Sequence, residues 1–182
     1  MPRKNPILKK IKLRESMENS EIIKEIQRSE NQLKEKNEIH EGQKFVIFLI
    51  AEKYFALAEN LVQEIIINSE IYYLPFVPQY IRGLINRQGD PYTVVDIHLL
   101  INNEKLDGKK FIILRDKIDK IAFLITDVLK IVFIEKDNIH TILSSNAKDN
   151  YFAQFISLEK EEIPVLDTRQ IIKKIHHDIE YE

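Results

Sequence analysis

Three groups of side chains in this chain have the types that could do chemistry: His176-His177-Asp178 near the end, Asp96 with His98, and Ser144-Ser145. A histidine pair beside an aspartate could ligate a metal ion. Adjacent histidines do not readily aim at one centre, however, and no fourth ligand accompanies them, so a solvated tail is expected over residues 176–182. Asp96 and His98 could pair as an oriented base, but that spacing is common and no nucleophile stands beside it. Ser144-Ser145 lack the Gly-x-Ser-x-Gly frame of a nucleophile elbow. Neither Gly-x-Gly-x-x-Gly nor Gly-x-x-x-x-Gly-Lys occurs, so nucleotide binding has no support. The expectation is a protein with no catalytic residues, no metal and no cofactor, which is not an enzyme.

Residues 61–97 carry more information, and all of it is structural. They hold Val62-Gln63-Glu64-Ile65, Leu74-Pro75, Pro78, Ile81-Arg82-Gly83, Asn86, Gly89 and Val94-Val95-Asp96-Ile97. Gly83 and Gly89 suit backbone at positive φ. Asp96, and later Asp167, stand where a side-chain oxygen caps a helix. Glu64 falls on a strand by alternation, where the alternatives are a solvated charge or a binding contact.

The elements that hold these residues are short and β-rich. Strands are expected at Phe45–Ala51, Tyr54–Ala58, Val62–Ile67, Gly83–Asn86 and Tyr92–Ile97. Proline opens a helical turn at Pro78–Ile81, and Leu99-Leu100-Ile101 marks a short helix. Further strands are expected at Phe111–Leu114, Ile121–Thr126, Ile131–Ile134, near Tyr151–Leu158 and at Ile163–Leu166. A closing helix runs from Asp167 to about Ile175.

The pattern repeats. Shifted by 66 positions, Lys44-Phe45-Val46-Ile47-Phe48 lies over Lys110-Phe111-Ile112-Ile113-Leu114, Ala56 over Ala122, Val62 over Val128, and Ile65-Ile66 over Ile131-Val132. After a small insertion Val94-Val95-Asp96 answers Val165-Leu166-Asp167. Two related small barrels follow, about 44–101 and 110–175, with room for strands to interleave. Neither half alone could bury much core.

Composition agrees with a globular protein: 182 residues, 44% hydrophobic and 31% charged, with no cysteine and hence no disulfide or thiolate chemistry. No apolar run approaches the roughly 20 residues of a membrane span. Net charge is −2 but uneven, +3 over residues 1–44 and −5 over the remainder. Six cations and no anion lie between Arg3 and Arg14, and Ser20 could cap a marginal helix to about Lys36, so residues 1–43 are expected to be a basic extension, disordered or helical. An acidic body without an arginine-interleaved aromatic stripe disfavours nucleic acid, although small barrels with a basic arm keep a nucleic-acid-binding protein as the alternative function.

Residues 44–175 resemble the CheW-like domain, on Phe45-Val46-Ile47-Phe48 with Tyr54, Val62-Gln63-Glu64-Ile65, Pro78 with Ile81-Arg82-Gly83, Asn86 with Gly89, Val94-Val95-Asp96-Ile97, Phe123–Val128 and Pro164-Val165-Leu166-Asp167. The resemblance implies a mostly β fold of two pseudo-repeated, five-stranded SH3-like barrels on a shared core, with short helices. It implies a chemotaxis adaptor, a monomer in isolation, that couples chemoreceptor (methyl-accepting chemotaxis protein) cytoplasmic tips to the regulatory domain of the kinase CheA. The protein would be cytoplasmic and reach the inner membrane only through receptor arrays. By position it places Val62 and Glu64 at the receptor contact, Arg82, Asn86, Arg87 and Gln88 near the same groove, and Phe111 beside it.

Departures mark a divergent member. The family's Asn-Leu-Arg-Gly is Asn86-Arg87-Gln88-Gly89 here, which moves the arginine by one place and so to the other face of a strand, unless a bulge re-aims it. A family proline is Thr93, one glycine is Phe123, and another is missing near Ala153-Gln154.

Overall fold

A computed structural model describes residues 41–142 and 151–181. The basic stretch from Arg3 to Arg14, the helix expected after Ser20 and the Ser144-Ser145 pair lie outside the described residues. Eleven strands and two α-helices are present among those described: β1 Gly42–Ile50, β2 Lys53–Ala58, β3 Val62–Ile67, β4 Ile81–Arg87, β5 Asp90–Asp96, α1 Ile97–Asn102, β6 Lys110–Leu114, β7 Ile121–Ile125, β8 Asp127–Glu135, β9 Ile139–Thr141, β10 Phe152–Leu158, β11 Glu161–Leu166 and α2 Thr168–Tyr181. The chain is mostly β, as the run lengths and β-branched residues indicate.

Two sheets form, in the orders β8-β1-β2-β11-β10-β9 and β3-β6-β7-β5-β4. Each takes two strands from one half of the chain and the rest from the other. The registers repeat with the sequence. Phe45, Val46 and Ile47 of β1 face Ala58, Leu57 and Ala56 of β2. Sixty-six residues on, Phe111, Ile112 and Ile113 of β6 face Leu124, Phe123 and Ala122 of β7. The irregularities repeat too: β3 bulges between Val62 and Glu64, and β8 skips Leu129, its equivalent of Gln63, opposite Ile47 and Phe48. A bulge inserts one residue and turns the strand, so both sheets curl at the same place.

Exchange of strands explains why β1, β6 and β7 read as continuous apolar runs. Val46, Phe48 and Ile50 join the large core with Phe111, Phe123, Ile85 and Ile97, while Phe45 and Ile47 face the smaller core with Ile134, Ile156 and Ile163. A strand buried on both faces has no polar side to alternate with.

Some boundaries differ from expectation. β1 starts at Gly42 because its partner strand β8 extends to Glu135 and pairs that far. β9 is an additional sixth strand, three residues long, held to β10. The expected tail after Ile175 is instead the last turns of α2. Those turns are docked: Tyr80 Oη donates to Asp178 Oδ2 at 2.8 Å, Lys174 Nζ reaches Asp178 Oδ1 at 2.8 Å, and His176 Nε2 meets Asp119 Oδ1 at 2.7 Å.

Gly83 stands at φ +131°, and a Cβ there would lie 2.2 Å from the Tyr72 carbonyl oxygen. Gly89 stands at φ +94° with open space around it. Gly83→Ala should therefore cost about 3 kcal/mol, from strain and overlap together, and Gly89→Ala only about 1 kcal/mol, from strain alone. Equilibrium urea unfolding of the two variants checks this ranking. For Asp178, burial favours the neutral acid, but the hydrogen bonds from Lys174 and Tyr80 outweigh it and hold the carboxyl below its ordinary value. A depressed folded value means stability that is whole above the ordinary aspartate value of about 3.9 and lost as pH falls through the folded one. The protection of α2 amides, relative to their intrinsic exchange rates, should thus fall in that acid window, and Asp178→Asn should flatten the dependence.

Candidate protein-interaction surface

Glu64 and Arg87, on β3 and β4, stand at opposite margins of the five-stranded sheet. The side chains nevertheless meet: Arg87 Nε donates to Glu64 Oε2 at 2.9 Å and Arg87 Nη2 to Glu64 Oε1 at 2.5 Å. The sheet is therefore curled until its margins approach, and this two-pronged pair closes it. Geometry of this kind matches the planar fork of arginine to both carboxylate oxygens. Hydrogen bonding to Glu64, then the attraction between the charges, raises the Arg87 pKa above its ordinary value. Both side chains remain more than a third exposed, at 37% and 35%.

The one-place displacement of the arginine is resolved by the turn. Arg87 is the last residue of β4, opposite Asp90, and Gln88 and Gly89 form the hairpin tip with φ +54° and +94°. Arg87 itself reaches Glu64, while Gln88 sits at the tip. Asn86 serves that turn, its Oδ1 accepting the Gly89 N–H at 2.9 Å.

Arg82 occupies a different setting. Asp96 is wholly buried, and Arg82 Nη1 donates to its Oδ2 at 2.8 Å and to the Leu106 carbonyl at 3.1 Å. The same carboxylate accepts the Leu99 N–H, as the cap of α1, and the Leu106 N–H, both at 3.0 Å. Asp167 caps α2 in the same manner through the Arg169 and Gln170 N–H groups. Arg82 thus ties β4 to the loop after α1 and has little freedom to meet a partner.

Two expected contact residues are corrected. Phe111 is fully buried and Val62 is 9% exposed, both within the large core. β6 is flanked by β3 and β7 and covered on both faces, so a partner cannot touch Phe111 in this fold. Alternation identifies a strand face but not what covers it. Conversely, the exposed apolar residues beside Glu64 are Ile65 and Ile67, at 37% and 60%. Tyr73 and Phe76, in the segment between β3 and β4, are also exposed, and Phe76 adopts φ +56°. Their signal was present in the sequence as aromatic residues among prolines, outside any strand periodicity.

The margin of β3 therefore carries a charged, hydrogen-bonded pair on one face and exposed isoleucines on the other. That arrangement can grip another protein's side chains. Both charges are already engaged with each other, so neither is poised for proton transfer. Among the described residues no group of three His, Cys, Asp or Glu could hold a metal ion, and no helix of the described residues is long and apolar enough to cross a membrane. Removing the buried carboxylate would leave Arg82 without its partner and α1 without its cap. Asp96→Ala should destabilise by about 3–5 kcal/mol, measured by chemical denaturation, with Arg82→Met milder because the Leu99 and Leu106 N–H groups still satisfy the carboxylate.

Comparison with known proteins fits this geometry. The CheW-like domain model matches residues 44–176. Chemotaxis protein CheW of Bacillus subtilis (strain 168) is 22% identical over 142 residues, covering 75% of this chain and 91% of that protein. The crystal structure of the scaffolding protein TtCheW from Thermoanaerobacter tengcongensis superposes with a TM-score of 0.63 at 22% identity, over 69% of this chain and 89% of that one. With the family model spanning most of its length and the same fold at low identity, the chain belongs to the CheW-like domain family as a divergent member.

Proposed function

We propose that this protein is a non-catalytic chemotaxis adaptor that couples the cytoplasmic tips of chemoreceptors to the regulatory domain of the kinase CheA. The observation that carries the reading is the Glu64–Arg87 pair, more than a third exposed where the curled sheet closes, on a margin whose other face exposes Ile65 and Ile67. A receptor helix laid along this margin would bury the isoleucines, and its basic or acidic side chains would compete for one member of the pair. Such a contact sets register and association rate more than raw affinity. Glu64, Arg87, Asn86 and Gln88 form the proposed receptor-facing set, with Arg82 holding the backbone beneath it.

Kinase control would follow without chemistry by this chain. A receptor state that packs better against one arrangement of adaptor and kinase shifts that arrangement's population, and the coupling is reciprocal in binding free energy. The protein would work in the cytoplasm, meeting the membrane through receptors.

The test combines binding with a charge swap. Glu64→Lys should weaken binding of a receptor cytoplasmic fragment by about tenfold while leaving the protein folded. The double variant Glu64→Arg with Arg87→Glu should restore the internal pair and the thermal midpoint, yet leave receptor binding weak, because the polarity offered to the partner is inverted. Binding of the CheA regulatory domain, followed by calorimetry at low and moderate salt, completes the test. Loss of affinity for both partners in the unaltered protein would sink the adaptor reading.

A further inference from the structure

The internal duplication supplies a control for each site, and one seam differs sharply between the two sheets. In the five-stranded sheet, β5 runs parallel to β7 with Thr93, Val94, Val95 and Asp96 facing Ile121, Ala122, Phe123 and Leu124. One rung of that seam is the Thr93 N–H to the Lys120 carbonyl at 2.8 Å. In the six-stranded sheet the equivalent strands β11 and β2 share a single bridge, Val165 to Ala56. The residue equivalent to Thr93 is Pro164, which has no N–H to donate. The rung to the Tyr54 carbonyl cannot form, and the seam carries no further paired position beyond the bridge.

The opening is a trough. One cavity of about 460 Å³ lies along the seam, walled by Phe55, Ile163 and Pro164. A second of about 410 Å³ adjoins it over Ile47 and Leu129, and the two share Tyr54, Glu161 and Ile163. Ile163 stands where the other sheet has the buried ring of Tyr92, and Leu158 where it has Arg87, so smaller and uncharged side chains leave this mouth unfilled. Around the two cavities the rim carries Glu52, Glu159, Glu161 and Glu162 against Lys53, Lys130 and Lys160, and Lys130 is engaged by Glu159 at 3.4 Å, which leaves three glutamates against two lysines.

We propose that the β2–β11 trough is a docking site for an extended segment of a partner protein in which apolar and basic residues alternate. An extended chain has side chains on opposite faces at period two. Its apolar residues would fill the floor over Ile163 and Tyr54, and its cations would meet the three glutamates. The Tyr54 carbonyl, for which Pro164 has no N–H, supplies one main-chain partner. This site lies on the six-stranded sheet and does not depend on the receptor reading for Glu64 and Arg87.

The probe is a capped synthetic heptapeptide of alternating lysine and valine, titrated into the full chain by calorimetry and by NMR. Saturable binding with shifts centred on Tyr54, Phe55 and Ile163 is expected, together with affinity at least about tenfold weaker for the glutamate–valine analogue. The double variant Glu161→Lys with Glu162→Lys should lose the lysine peptide to a similar degree. Pro164→Thr restores the missing donor and should close the seam, abolishing binding while the new amide becomes protected from exchange. Absence of binding, equal binding of the acidic peptide, or unchanged affinity in the glutamate double variant would each overturn the proposal. Should Pro164→Thr fail to fold, the glutamate variant still decides.

Discussion

The β3–β6 and β8–β1 ladders carry the third strand of each half across to the first strand of the other, and everything else in the molecule rests on that exchange. A half of some sixty residues has too little surface to bury by itself. With strands exchanged, β1, β6 and β7 are covered on both faces and the large core draws from both sheets. The long-range ladders are thus the condition for the apolar runs to be buried at all. The tight hairpin β4–β5, the bulges and the caps then decide local shape inside a frame that exists only when both halves are present.

That frame explains where function can accumulate. A duplicated fold presents each surface twice, and the two versions need only one core. At the margin of one sheet, Glu64 pairs with Arg87. At the equivalent margin of the other, Lys130 meets Glu159 at 3.4 Å, one residue beyond the equivalent position and with polarity reversed. Arg82 bridges to buried Asp96, while Ala153 occupies the matching place before Asp167 and makes no such bridge. Positions where the halves agree are those that the ladders and caps require, and positions where they differ are free of that requirement.

Much of the fold was legible in the residues because its signals are local. Strand ends fall within a few residues of the apolar runs, and Gly83, Gly89, Asp96 and Asp167 perform the backbone and capping tasks their types indicate. What was not legible depends on contacts between distant segments. The His176-His177-Asp178 group has the composition of a tail, yet Tyr80 and Asp119 hold it as helix from positions far away in the chain. Val62 and Phe111 occupy strand faces whose covering comes from the partner sheet, so a surface role could be ascribed to them only while that covering was unknown. The Arg87–Glu64 pair likewise needs a curled sheet before two opposite margins can touch.

The change from Thr93 to Pro164 shows how small a difference can separate a structural seam from an available one. Both positions lie in equivalent strands after equivalent hairpins, and both neighbours, Val94 and Val165, keep their bridge to an alanine. Pro164 accounts for the outer rung, while the two pairings that follow Val94 in the other sheet are also absent after Val165. Since a parallel ladder gains its stability one rung at a time, removing the outer rung does not unravel the inner bridge, and the cores on either side stay packed. The cost therefore remains confined to the seam, which is the circumstance in which a strand edge can stay open to another chain without putting the fold at risk.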